Sequence, residues 1–346
     1  MSHAALRKSL LAWYRANRRD LPWRRTRDPY GIWISEAMLQ QTRVETVLDY
    51  WPKFLQRFPN IAGLAAAREE DVLAAWSGLG YYRRARSLRE AARAIVEKHG
   101  GEFPRERESV LDLPGIGPYT AGAVLSIAFD QREPLIDGNV ARVFSRLFAI
   151  DDCLGTPKSE RRLWDLAREL LPRSQSPGDW NQALMEFGAL VCTPRAPRCE
   201  ECVLATHCAA RIAGRVTELP RPKARPAVLD VELEVLIVRR GGSWLIEQRP
   251  EDAARMAGLW ELPTREIGPA TGLFRARWQP AGLFTPGREV GRVRHSITRH
   301  RIDVSVREAT LAKRARLPAH FAWLRPRAES QLALTGMARK VLAFAN

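Results

Sequence analysis

Residues 113–124 read "LPGIGPYTAGAV", two glycines and two prolines inside an otherwise apolar run. The helix-compatible "RERESVLD" precedes the stretch and "TAGAVLSIAFD" continues it. Two helices joined through Pro-Gly-Ile-Gly-Pro are therefore predicted, with the glycines allowing positive φ and close backbone approach. The second helix then begins at a tight turn with unpaired N–H groups, where Gly115 and Gly117 could receive a phosphate oxygen. An ordinary corner between two helices would read the same way.

Twenty residues beyond Gly117 comes "REPLIDGNVARVF", an apolar approach into Asp137, Gly138 and Asn139 followed by a helical pattern. Asp137 fits a plain N-cap for that helix. Upstream, "LPWRRTRDPYGIWISEAMLQQTRVETV" sets Glu36 among Trp33, Ile34, Met38 and Leu39, where partial desolvation would push a carboxyl pKa upward. A solvated helix glutamate also fits that window. Apolar positions from Ile34 through Met38, Val44, Val47 and Leu48 to Trp51 recur at the helical period and predict one amphipathic run.

Four of the five cysteines fall in "VCTPRAPRCEECVLATHC" as Cys192-x6-Cys199-x2-Cys202-x5-Cys208. Clustered thiols argue for a metal centre over disulfides, and by spacing alone either zinc or a 4Fe-4S cluster can use four sulfurs. Arg195 and Arg198 would project from this loop toward phosphates. Cys153 stands apart and is expected to be a buried small hydrophobe.

The chain has 346 residues, room for two cores, and carries 55 Lys and Arg against 39 Asp and Glu, net +16 with a pI near 10.4. That balance favours a polyanionic partner such as nucleic acid, though a solvated basic surface would give the same count. The charged first twenty residues and the absence of a long apolar run predict a soluble, cytoplasmic chain with no membrane partner. Helical patterns fill residues 1–214, with "EEDVLAAWSGLG" ending at Gly80 and "RSLREAARAIVEKHG" at Gly100 like C-caps. Pro220, Pro222 and Pro226 mark residues 215–229 as a linker. From 230 to 346 the period becomes two in "LDVELEVLIVRR", "SWLIEQRP" and "HRIDVSVREAT", and the last twenty residues look helical, so this part is α+β.

Together, the LPGxGxxTA hairpin, the aspartate twenty residues on and the cysteine loop resemble the helix-hairpin-helix DNA glycosylase superfamily, in its endonuclease III and adenine glycosylase branch. Adding "WISEAMLQQTRVETV" and "GLGYYRRAR", the chain is similar along its whole length to MutY-type adenine DNA glycosylases, which remove adenine mispaired with 8-oxoguanine. The resemblance implies a multidomain fold: an all-α catalytic region with a six-helix module near 22–133 and an iron-sulfur module from 1–21 and 134–214, plus a Nudix-like α+β domain. It implies a 4Fe-4S cluster on Cys192, Cys199, Cys202 and Cys208. It also implies a monomeric, monofunctional glycosylase of base excision repair, acting on duplex DNA with adenine opposite 8-oxoguanine or guanine.

Losing a purine from its sugar requires protonation of the leaving base and negative charge beneath an oxocarbenium-like sugar. By resemblance Glu36 is the acid at adenine N7 and Asp137 the carboxylate at the sugar. Asn139 supports Asp137, and Tyr119 lines the pocket. Glu186 in "NQALMEFGA" lies near the base, with Arg24 and Trp23 on pocket positions. Extrusion of the adenine calls for a wedge; by match Gln41 and Tyr81 insert, with Leu39 and Gln40 beside them, although a Tyr-Tyr pair also suits packing. Tyr119 stands where a lyase keeps its Schiff-base lysine, and no lysine lies between Lys98 and Lys158.

"WLIEQRPEDAARMAGLWELP" resembles the opening of a Nudix domain, but the glutamates that bind magnesium are missing after Gly258, which disfavours pyrophosphate hydrolysis. In this family the domain checks for 8-oxoguanine through a Phe-Ser-His loop. Here Ile297, Thr298 and Arg299 stand there, so Thr298 is expected to read the lesion and Arg299 to add a phosphate contact, with the family's aromatic and imidazole lost.

Overall fold

In the computed structural model, helices follow one another as far as residue 212. They are α1 (His3–Asn17), α2 (Pro29–Leu39), α3 (Val44–Arg57), α4 (Ile61–Ala66), α5 (Glu69–Trp76), α6 (Arg83–His99), α7 (Arg107–Leu111), α8 (Pro118–Phe129), α9 (Gly138–Leu147), α10 (Pro157–Leu170), α11 (Pro177–Leu190) and α12 (Ala209–Ile212). Strands β1 (Leu229–Ile237), β2 (Arg239–Arg240), β3 (Ser243–Gln248), β4 (Trp260–Glu261), β5 (Thr264–Ile267), β6 (Phe284–Ile297), β7 (His300–Leu311) and β8 (Phe321–Leu324) come next, then α13 (Gly336–Ala345). The structure describes all residues except 1–2, 174–175, 223–225, 254, 269–273, 275–280, 326–327, 329–331 and 346. Part of the expected linker, residues 223–225, thus lies outside the described residues. No described helix is long and apolar enough to cross a membrane.

The chain divides into two compact units, one of residues 1–66 and 87–224, the other of 67–86 and 225–346. In the first, α8 packs on α2 and α11, and α11 on α1 and α9. Thr120 to Ile127 of α8 are all buried, as expected of a helix that is apolar all round. The turn ahead of α8 needs glycine at one of its two positions. Gly115 sits at φ +74, and a Cβ there would lie 2.4 Å from that of Ser87. Gly117, expected to share that freedom, instead has φ −101 and serves as the N-cap, with Pro118 in the first helical turn.

The run expected as one helix from Ile34 to Trp51 is two, broken between Leu39 and Val44. A four-residue interruption is close to one helical turn, so the apolar phase survives the break and conceals it. At the break Gln41 adopts φ +58. Helix α5 ends at Trp76, four residues before Gly80, because Gly78 and Gly80, both at positive φ, build the turn that follows. Gly100, at φ +62, does follow the last residue of α6. Cys153 is exposed, contrary to expectation: it lies in the connection between α9 and α10, its carbonyl accepting from the Thr156 hydroxyl.

The second unit holds two four-stranded sheets among its described residues, one in the order β5-β1-β7-β6, the other with β3 between β2 and β4 and also paired to β8. β1 runs parallel to β7, while β5 and β6 are antiparallel to their neighbours. Val231, Leu233 and Val235 of β1 and Ile302, Val304 and Val306 of β7 point to one face, the period-two signature, and Met337, Val341 and Leu342 of α13 close over it.

Candidate active site and cysteine centre

Within the first unit a cavity of about 230 Å³ collects Arg24, Glu36, Tyr119, Asp137, Asn139 and Glu186, with Trp23 and Leu39 in its wall. Helix α2 brings Glu36, the first turn of α8 brings Tyr119, the N-cap of α9 is Asp137, and α11 brings Glu186. Glu36 is 5 % exposed. Burial pushes its carboxyl up to about 7, against the pull of the Tyr119 hydrogen bond and with help from the Asp137 charge. The Tyr119 hydroxyl donates to Glu36 Oε2 at 2.5 Å, leaving Oε1 for an acid proton. Burial holds Tyr119 itself a phenol, far above the ordinary tyrosine range.

Asp137 is both N-cap and cavity residue. One oxygen accepts from the Val140 N–H at 2.7 Å and the other from the Asn139 side-chain amide at 2.8 Å. Burial raises this carboxyl, while those donors and the Arg142 charge draw it back down. Arg142 extends the chain: it donates to Asn139 Oδ1 at 2.8 Å, to the Gly188 carbonyl at 2.8 Å and to the Cys192 carbonyl at 2.7 Å. Gly188 permits this closeness, since a Cβ there would lie 2.7 Å from that of Asn139.

Glu186 is buried too, and its carboxylate is fully claimed. Arg19 reaches it through the backbone N–H, Nε and Nη2, and Arg24 through both terminal nitrogens at 2.9 Å. Those guanidinium hydrogen bonds overcome burial and hold the carboxyl at about 2. Glu186 is thus an anchor for Arg24. Gln40 turns to Thr120, its amide 3.3 Å from the hydroxyl, while Gln41 is exposed. In the second unit Tyr81 is 51 % exposed at φ +49.

Cys192, Cys199, Cys202 and Cys208 line one cleft with Arg146. Among the described residues no three His, Cys, Asp or Glu side chains converge to hold a single metal ion. Four sulfurs around one cleft are a donor set that suits an iron-sulfur cluster. Burial, then the neighbouring thiols, raise Cys202 to about 11, as for sulfurs that need a metal's charge to ionise. Arg146 is 3 % exposed and staples the loop, donating to the carbonyls of Thr193, Pro194 and Leu219 and approaching Cys192 Sγ at 3.4 Å. Arg195 is exposed on the loop, whereas Arg198 folds back, donating to the Leu190 carbonyl at the end of α11 and to Glu201.

Thr298 and Arg299 form the exposed two-residue tip of the β6–β7 hairpin, with Ile297 paired to His300. Thr298 holds φ +52, a strained conformation for a β-branched residue. An imidazole stands beside this hydroxyl after all: His300 Nδ1 lies 3.5 Å from Thr298 Oγ1 and 3.2 Å from Arg255 Nη1. Sequence reasoning missed His300 and Arg255, as it missed Arg19, Arg142 and Arg146. The one usable signal was a pair of arginines four apart in α9, Arg142 and Arg146.

Comparison with known proteins gives a concordant assignment. Residues 34–169 match the HhH-GPD superfamily of base excision DNA repair proteins, 192–208 the iron-sulfur binding domain of endonuclease III, and 234–344 the NUDIX domain. The cysteine loop is therefore an endonuclease III-type 4Fe-4S motif. The mouse adenine DNA glycosylase is 39 % identical over 77 % of this chain, which spans 61 % of the mouse protein's length. The adenine DNA glycosylase of Buchnera aphidicola from Schizaphis graminum is 37 % identical over 70 % of each chain. A thermostable thymine-DNA glycosylase structure superposes with a TM-score of 0.55 at 32 % identity, covering 61 % of this chain and 97 % of that one. With these matches falling on the helical region, the cysteine loop and the C-terminal sheets, the chain belongs to the adenine DNA glycosylase family.

Proposed function

We propose that the protein excises adenine opposite 8-oxoguanine or guanine from duplex DNA, as a monofunctional glycosylase of base excision repair. The observation that carries this reading is the pair of carboxyls in one cavity, Glu36 buried and raised to about 7 and Asp137 half-buried and held by two donors. A flipped adenine accepts a proton at N7 from Glu36, whose Oε2 is occupied by Tyr119. Ionised Asp137, steadied by Asn139 and the Val140 N–H, supports the cationic sugar as the bond to the base breaks. Arg24, held by Glu186, orients the base. Tyr119 is a phenol where a lyase needs an amine, which favours base release without strand cleavage.

Gly115, Gly117 and Arg195 meet the DNA backbone, Tyr81 and Gln41 fill the space left by the extruded adenine, and Thr298 with Arg299 reads the opposite strand. When bound, the cluster supplies a fixed core for the loop that carries Arg195. The protein acts as a monomer.

The test uses labelled duplexes carrying adenine opposite 8-oxoguanine, guanine, cytosine or thymine, with strands scored before and after alkali. Alkali-dependent scission confined to the first two duplexes is expected. Scission without alkali, or trapping of a protein–DNA adduct by borohydride, would sink the monofunctional assignment.

A further inference from the structure

Tyr81 and Tyr82 are adjacent but divide their labour: Tyr81 is half exposed and Tyr82 is buried. The turn between them and α5 is fastened from within and from without. From within, the Trp76 indole N–H donates to the Gly80 carbonyl at 3.1 Å, and Arg84 donates to the Leu79 and Gly80 carbonyls while lying over both the Trp76 and Tyr81 rings. From without, the Tyr82 and Ser77 hydroxyls both donate to the Leu334 carbonyl, at 3.0 and 3.2 Å. Arg339 at the start of α13 donates twice to Ser77 Oγ, at 3.1 and 2.7 Å, and Arg86 donates to the Ala257 carbonyl.

Leu334 is itself fixed. It bridges to Trp260 of β4, and the flanking Ala333 carbonyl and Thr335 N–H bond the Trp260 backbone. The 77–82 turn is accordingly built into the same unit as the C-terminal sheets.

We propose that this polar seam makes the C-terminal domain a splint for the turn that presents Tyr81, with Arg339 and Tyr82 as positioning residues for insertion into DNA. The inference rests on the proposed role of Tyr81 as the wedge. Buried hydrogen bonds hold a turn in which Gly80 takes φ +71 freely and Tyr81 is strained at φ +49, so that the exposed ring meets the duplex in one orientation. The domain that reads the lesion then also sets the tool that opens the pair.

The full chain is tested as Arg339→Met and as Tyr82→Phe, each alone and combined with Tyr81→Ala, on a duplex with adenine opposite 8-oxoguanine. Each single change is expected to raise the protein concentration for half-maximal single-turnover excision roughly five- to tenfold, the worth of one or two buried hydrogen bonds, with the saturated rate nearly unchanged. In the Tyr81→Ala background neither should cost anything further, since the effect acts through that ring. Equal losses with and without Tyr81, or no loss in its presence, would overturn the proposal. Tyr82→Phe keeps the ring and so carries the test if Arg339→Met fails to fold. An unmodified chain that releases no adenine would instead overturn the parent reading.

Discussion

Glu36 and Glu186 face the same cavity from α2 and α11, both almost wholly buried, yet one carboxyl is driven up to about 7 and the other down to about 2. Burial alone would raise both. The difference is partners: Glu186 takes five donors from Arg19 and Arg24, while Glu36 receives one phenol and lies near the Asp137 charge. Burial sets the cost of ionising, and the neighbouring charges decide whether that cost is met. One wall of the pocket thereby holds a carboxyl that keeps its proton up to about pH 7, and the other a fixed negative charge that orders Arg19 and Arg24.

The harshest way to break this contrast is Glu36→Gln. Loss of the acid should slow single-turnover adenine release about 10²–10⁴-fold while duplex binding persists in a gel-shift assay; a loss under tenfold would end the acid assignment. In the parent protein, release should fall as pH rises through about 7, where Glu36 ionises. Stability follows the same sign. A folded pKa above the unfolded one contributes stability that is present below about 4.5 and lost as pH climbs through 7.

Next in size is Arg24→Met, which leaves the buried Glu186 with Arg19 alone. Breaking such a pair costs about 3–5 kcal/mol, read as a lower urea midpoint at pH 7. The depressed Glu186 contributes stability present above its unfolded pKa and lost as pH falls through about 2; with Arg24 gone the folded pKa rises toward the unfolded one, so the variant should lose less on acidification and the loss should end at higher pH. An unchanged midpoint would show that the two arginines are redundant.

Tyr119→Phe should do less. It removes the donor that favours ionised Glu36, so the alkaline limb of the rate profile should move to higher pH, with a change of a few-fold at pH 6; movement to lower pH would contradict the hydrogen bond described. Smallest is Thr298→Ala on the exposed hairpin, where losing one hydroxyl is worth about 1 kcal/mol. A few-fold weaker preference for 8-oxoguanine over guanine is expected, and unchanged discrimination would pass the reading role to His300 and Arg255.

What the chain announced in advance was local. The Gly115 turn, the Asp137 cap and the cysteine spacing each lie within about twenty residues, and local sterics and ligand spacing constrain them directly. What stayed hidden depends on distant partners. Arg19 meets Glu186 across 167 positions, and Ser77 meets Leu334 across 257. Nothing in "RANRRD" separates an arginine bound for a buried carboxylate from one bound for water. The break at Gln41 was masked by helical phase, and His300 by assigning the imidazole to position 299.

The close approach at Gly188 has a bearing on redesign. Because α11 lies against Asn139 with no side chain of position 188 between them, the place of the α9 N-terminus that carries Asp137 is set by how closely two helices can stack. Gln182, Met185 and Ala189 line the cavity from the same helix at spacings of three and four. Changes at those three positions should reshape the cavity while the N-terminus of α9 stays put, provided that position 188 keeps its single hydrogen.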